Sequence, residues 1–147
     1  MTTQHKDVNH ALLAAKQEFK PLQKTGRNPH FKNEYSTLDD IRDATLEALT
    51  RHGVIVVHRS EVKDEYTILI TTVIHAETGT SLYAEFFVDN DAPQKMGSAM
   101  TYGRRYNIVN LLDLIADVDD DAESYYDRTK PETTTTTKRG LGGGKVR

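Results

Sequence analysis

Arg104 and Arg105, flanked by Tyr102 and Tyr106 and preceded by Gly97 and Gly103, form the densest cluster of chemistry-bearing residues in this 147-residue chain. Guanidinium groups pair with phosphate and aromatic rings stack on bases, so this mixture suits a single-stranded polyanion. Glycine inside a helix costs about 1 kcal/mol relative to alanine. Two of them beside a double arginine suggest that something approaches the backbone closely, with a phosphate-rich polymer as the leading candidate. Lys95 adds a third cation, and no acid lies between Ala92 and Asn110. A helix turns about 100° per residue, so Arg104 falls near the side opposite Tyr102 and Arg105 points further round. One arginine is expected to reach phosphate while the other bridges to acidic residues or another subunit. Tyr106 falls nearer the Met96, Ala99 and Gly103 stripe and reads as a core residue.

A second patch runs from Lys24 to Tyr35, where Lys24, Arg27, His30, Phe31, Lys32 and Tyr35 interleave cations with aromatics. The candidate nucleic-acid contacts are therefore Arg104, Arg105, Tyr102, Lys95, Lys32, Arg27, Tyr35 and Phe31. Downstream lies an acidic run: Asp113, Asp117, Asp119, Asp120, Asp121 and Glu123. Consecutive aspartates suit a hard divalent cation, and a nuclease could use them. The first reading is a solvated helix end, but carboxylates after a helix C-terminus oppose its dipole, so a head-to-tail contact with a basic surface on a neighbouring subunit is the second reading and metal the third. The other constellations fail. Gly144-Lys145 lacks both the upstream glycine and the following Ser or Thr of a phosphate loop. Six histidines show no ligand spacing, and no serine sits in a nucleophile elbow. No catalytic constellation is present, and the chain is not expected to be an enzyme.

The elements that must position these residues follow from periodicity. Val8, Leu12, Ala15 and Phe19 predict a helix over about residues 6–20, stopped by Pro21. Lys24 to Tyr35 reads as a loop, broken by Gly26 and Asn28-Pro29. Thr37 is an expected N-cap with Asp40 three residues on, and the helix it opens ends at Gly53. Strands are expected at Val54 to His58, Tyr66 to His75 and Ser81 to Asp89, with a turn at Glu77 to Thr80. Asp91 is a cap candidate, and Pro93 opens the last helix, about residues 93–112. The order is α-α-β-β-β-α, an α+β fold in which an antiparallel three-stranded meander carries flanking helices.

Composition bounds the rest. The length fits one ordered domain, residues 1–127, followed by a flexible basic tail, 128–147, rich in Thr and Gly. No stretch approaches a membrane span, and the first residues do not resemble a secretory signal, so a cytoplasmic location is expected. The chain contains no cysteine, which excludes disulfides and thiol chemistry. Its net charge of −3 excludes a uniformly basic coat, so any polyanion must bind through a local patch.

At these residues the chain resembles the ERF (essential recombination function) family of phage single-strand annealing proteins. The shared pattern is Gly97-Ser98-Ala99, Thr101-Tyr102, Arg104-Arg105-Tyr106, Leu111-Leu112, Ile115 and Asp119-Asp120-Asp121. In the N-terminal half it is Asn28-Pro29, Phe31-Lys32, Tyr35, Leu38 and Gly53-Val54. Ala122 departs from the family, which tends to have glycine there, and the tail is shorter than in some relatives. The resemblance covers roughly residues 8 to 123. It implies an ATP-independent recombinase that binds single-stranded DNA, forms rings or helical oligomers, anneals complementary strands, and has a β-β-β-α core. By position, it puts the DNA contacts at Arg104, Arg105, Tyr102 and the basic-aromatic loop. No cofactor is expected, apart from stimulation by magnesium. A phage exonuclease or a host single-strand binding protein is an expected partner. The rival readings are a metal-dependent nuclease built on Asp119-Asp121 and a non-catalytic oligomeric adaptor.

Overall fold

The computed structural model describes residues 3–27 and 33–117. Helix α1 spans Val8–Lys16. A short antiparallel pair follows, β1 (Gly26–Arg27) with β2 (Glu34–Tyr35). Helix α2 spans Leu38–Arg51, strands β3, β4 and β5 span Val54–Val62, Tyr66–His75 and Ser81–Asp89, and helix α3 spans Pro93–Leu112. The three long strands form one antiparallel meander in the order β3-β4-β5. The α+β architecture is as the sequence predicts, with β1–β2 added where a loop was expected. No described helix is long and apolar enough to cross a membrane.

Local chemistry explains most boundaries. Asp7 caps α1 by accepting from the His10 amide at 2.9 Å, and the helix stops at Lys16, five residues before Pro21. The expected extension to residue 20 fails because Phe19 turns in against the core outside the helix. Thr37 and Asp40 form a reciprocal capping box at the start of α2. Gly53 leaves that helix with φ 72°, where glycine carries no Cβ clash. Strand β3 continues past His58 to Val62, because Arg59, Ser60 and Glu61 complete the ladder opposite Ile70, Leu69 and Ile68. Those polar residues gave no strand signal of their own. Pro93 opens α3 as expected, but Ala92 is its N-cap, and Asp91 instead accepts from the Ala92 amide at 2.7 Å.

All three helices pack on the sheet face made by Val54, Val73, Thr71 and Leu69. The core cluster joins Val8, Leu12, Ile41, Leu49, Val73, Ile108 and Leu112 across these layers. Gly103 is the tightest point of contact. A Cβ there would lie 2.7 Å from Phe86 and 2.8 Å from Leu69, so the close approach that this glycine permits is that of the sheet. Asn107, fully buried one turn later, donates its amide to Leu69 O at 3.3 Å and Thr71 Oγ1 at 3.1 Å. Both acceptors fix the amide's orientation, and its oxygen has no partner among the described residues.

Gly103→Val is expected to destabilise the fold by about 1–3 kcal/mol through overpacking. Gly97→Ala, where a Cβ meets open space, is expected to stabilise it by up to about 1 kcal/mol. Urea denaturation of the two variants checks both signs.

Candidate nucleic-acid interface

The Arg-Arg pair divides sharply. Arg105 is 8% exposed. Its Nε donates to the Ser36 carbonyl at 2.6 Å, and a terminal nitrogen donates to the Asp117 carboxylate. The guanidinium carbon also lies 4.9 Å from the centroid of the Tyr35 ring. Tyr35 in turn covers Gly26, where a Cβ would sit 2.5 Å from the ring. Arg105 therefore ties α3 to the β1–β2 hairpin, to the start of α2 and to the segment after α3. The expectation that one arginine reaches the acidic run holds within this chain, at Asp117. Its guanidinium is engaged internally and does not present itself to a ligand.

The same junction is fixed by further bonds. Ser36 N donates to Ala116 O at 2.8 Å, and Ser36 Oγ donates to Gln23 O at 2.5 Å. Asp40 Oδ2 accepts from the Thr25 hydroxyl at 2.7 Å, the Thr37 amide at 2.9 Å and the Thr25 amide at 3.0 Å. These donors, led by the Thr25 hydroxyl, hold its pKa down at about 2.

Arg104 faces the other way, into a groove of about 440 Å³ between α2, β3 and α3. Leu38, Ile41, Leu46, Leu49 and Ile55 give it an apolar wall, and Arg42, His58 and Arg104 give it charge. Among the described residues, neither Arg42 nor Arg104 lies within salt-bridge distance of a carboxylate. His58 has its pKa lowered, first by burial and then by the positive charges of Arg104 and Arg42. Its Nδ1 bonds the Thr71 hydroxyl at 2.8 Å. That hydroxyl accepts from Asn107, which leaves its own proton for Nδ1 and places the imidazole N–H at Nε2.

On the opposite flank of α3, Tyr102 and Tyr106 stack with centroids 6.0 Å apart, and both touch the Phe86 ring. Tyr102 is 53% exposed and Tyr106 47%. Tyr106 is thus a surface residue and not a core one. Gly103 occupies the buried stripe and turns both tyrosines outward over β5. Helical geometry keeps Arg104 and the tyrosine pair on separate flanks of one helix.

The remaining described candidates are not part of the groove lining. Arg27 is exposed and 3.9 Å from Glu34 across the hairpin. Lys95 is exposed and 3.4 Å from Asp91. Phe31 and Lys32 lie outside the described residues, as do the Asp119-Asp121 run and the expected boundary of the tail. Among the described residues no cluster of His, Asp or Glu is arranged to hold a metal ion.

Sequence reasoning missed Arg42 and His58. Arg42 is surrounded in the chain by Asp39, Asp40 and Asp43, which hides it from any local charge count. The available signal was helical: Leu38, Arg42 and Leu46 recur every four residues, which puts a cation on an apolar stripe. His58 follows Val54 and Val56 at strand spacing and so shares their face.

A family model for the ERF superfamily matches residues 8–141. The chain belongs to the ERF superfamily. Comparison with curated proteins and with solved structures gives no match. ERF membership implies a role in single-strand annealing and recombination, and annealing proteins of this family are generally not catalytic.

In this ERF protein the two arginines should separate experimentally. Arg105→Ala leaves Ser36 O and Asp117 without their donor, and is expected to cost about 2–3 kcal/mol in urea denaturation. Arg104→Ala is expected to change stability by no more than about 0.5 kcal/mol. A pH series gives a second check. His58 is held neutral, and its lowered pKa contributes stability above its ordinary value of 6.5. That contribution is lost as pH falls through the folded-state value. Binding a phosphate beside His58 favours its charged form, so affinity for a polyanion should rise as pH falls below 6.5. His58→Gln should abolish that rise, read by fluorescence anisotropy of a labelled oligonucleotide.

Proposed function

We propose that this protein binds single-stranded DNA as an oligomer and anneals complementary strands without ATP and without catalytic turnover. The observation that carries the reading is the convergence of Arg42, Arg104 and His58 on one groove, with neither arginine in salt-bridge distance of a carboxylate among the described residues, in a chain of net charge −3. The two guanidinium groups come from α2 and α3 and the imidazole from β3. An annealing protein must grip phosphate and leave base edges free to find their complement. Point charges that track the backbone do this, whereas bidentate base readers would not.

The roles divide accordingly. Arg104 and Arg42 contact phosphates, and His58 Nε2–H adds a donor between them. Tyr102 and Tyr106 offer ring faces to bases, at about 1–3 kcal/mol per stacked base. Arg27 and Lys95, both exposed, and Phe31 and Lys32 are further candidate contacts. Arg105 and Tyr35 are positioning residues that set the angle between hairpin and α3. Repeating one modest patch around an oligomer raises overall affinity through effective concentration. A phage exonuclease or a host single-strand binding protein is the expected partner, in a host cytoplasm.

Annealing of two complementary oligonucleotides, with and without a divalent ion and never with ATP, is the direct experiment. Duplex product from intact strands is expected, and ion-dependent cleavage would replace this reading with the nuclease one. Each arginine that meets a phosphate should contribute about 0.7 to the slope of log affinity against log salt for a single strand. Arg42→Ala with Arg104→Ala should therefore flatten that slope by about 1.4. An unchanged slope in the folded double variant would remove the groove from the site.

A further inference from the structure

Among the described residues, the helices cover one face of the three-stranded sheet and none lies on the other. The register shows what lies on the other. Three successive rows cross it: Val57–Thr72–Tyr83, Arg59–Ile70–Glu85 and Glu61–Ile68–Phe87. Tyr83 is 66% exposed and Phe87 62%, and Tyr66 sits beside Phe87 with ring centroids 5.8 Å apart. Ile70 at the centre of the face is itself buried, and the exposed apolar surface is made by Val57, Tyr66, Tyr83 and Phe87, a patch of a kind that usually marks an interaction site.

Rings on an open sheet suit two classes of partner, nucleotide bases or another apolar face. Charge separates them. Glu61, Glu85 and Asp89 share this face with Arg59, whose guanidinium already bonds Glu61 at 2.8 Å. Lys63 lies 3.9 Å from the same Glu61. A polyanion would meet more carboxylate than cation here, and the unpaired cations lie across the sheet, on the helix side.

We propose that this sheet face is a two-fold interface with a second copy of the same chain, a reading that rests on the self-association included in the proposed function. A two-fold axis running along β4 lays β3 of one copy over β5 of the other at equal height. Arg59 then faces Glu85 of the partner subunit, and Glu85 faces Arg59 of the partner subunit. The large Tyr83 and Phe87 oppose the smaller Val57 and Glu61 of the partner subunit. An in-plane axis across the strands would instead set Arg59 against Arg59 and Glu85 against Glu85. Both charge and side-chain size therefore select the axis along β4, the aligned geometry of packed sheets, with an isologous contact. The face measures about 30 Å by about 14 Å from strand length and spacing. That footprint, about 420 Å² per copy, is below the roughly 800 Å² per partner of a standard interface, so the contact is a weak one and association should depend on protein concentration.

Sedimentation velocity across a dilution series tests this on the full chain. Arg59→Glu and Glu85→Arg are each expected to reduce the molar mass to half or less at a concentration where wild type is associated. The double swap is expected to restore it. Tyr83→Ser, uncharged and at an exposed site, should also lower the mass, and circular dichroism verifies the fold of each variant. Unchanged mass in the single variants, failure of the folded double swap to recover, or a wild type that is monomeric throughout overturns the proposal. A short labelled oligonucleotide is measured in parallel. Retained binding in the dissociated variants is expected, since Arg42 and Arg104 lie on the helix side. Loss of binding at unchanged mass would make this face a base-stacking platform and overturn the interface. If wild type binds no oligonucleotide while the swaps still halve the mass, annealing fails and the interface stands.

Discussion

The Arg105 guanidinium is where the separate pieces of this fold are joined. It reaches from the middle of α3 to the carbonyl before α2, to a carboxylate after α3 and to the ring at the base of the β1–β2 hairpin. Without that tie the hairpin, whose two strands are two residues each, would have little to hold it. Two-stranded ribbons of that size are not stable alone. The groove depends on the same junction, because Leu38 opens α2 three residues after Tyr35 and lines the groove wall. An interior charge is costly unless it is paired and hydrogen-bonded, and here every nearby polar group serves that purpose.

From this tie follows a division of labour around one helix. The Gly103 and Asn107 positions lie against the sheet, one by having no side chain and the other by bonding to β4. Arg104 is thereby turned toward α2 and β3, and Tyr102 and Tyr106 toward β5. Three faces of α3 thus have three environments, all set by how closely the backbone sits on Phe86 and Leu69. The helix has no single amphipathic face because it serves the sheet, the groove and the solvent at once.

Electrostatics shows the same economy. A chain of net negative charge keeps its carboxylates on the outer face of α2, at the sheet face away from the helices and in the acidic run. Arg42, Arg104 and His58 are left together. Burial first, and then the charges of Arg104 and Arg42, lower the pKa of His58.

The pattern of local signals carried a great deal here. Thr37 and Asp40 announced a capping box, Gly53 a left-handed exit, Pro93 a helix start, and the runs Tyr66–His75 and Ser81–Asp89 two strands with their ends. These depend on short-range sterics and hydrogen bonds, which are written into neighbouring residues. The resemblance to ERF proteins was likewise visible in residue order alone. Tertiary structure decided what each cluster residue is for. Arg104 and Arg105 are adjacent and chemically identical, yet one faces a groove and the other is locked between Ser36 and Asp117, 69 and 12 residues away. Gly103 admits the sheet, and Tyr106 comes to the surface because that contact fixes the rotation of the helix. Arg42 and His58 join the site only through packing of α2 and β3 against α3. Sequence fixes residue types and local periods, but helix rotation and long-range pairing emerge only when the layers close.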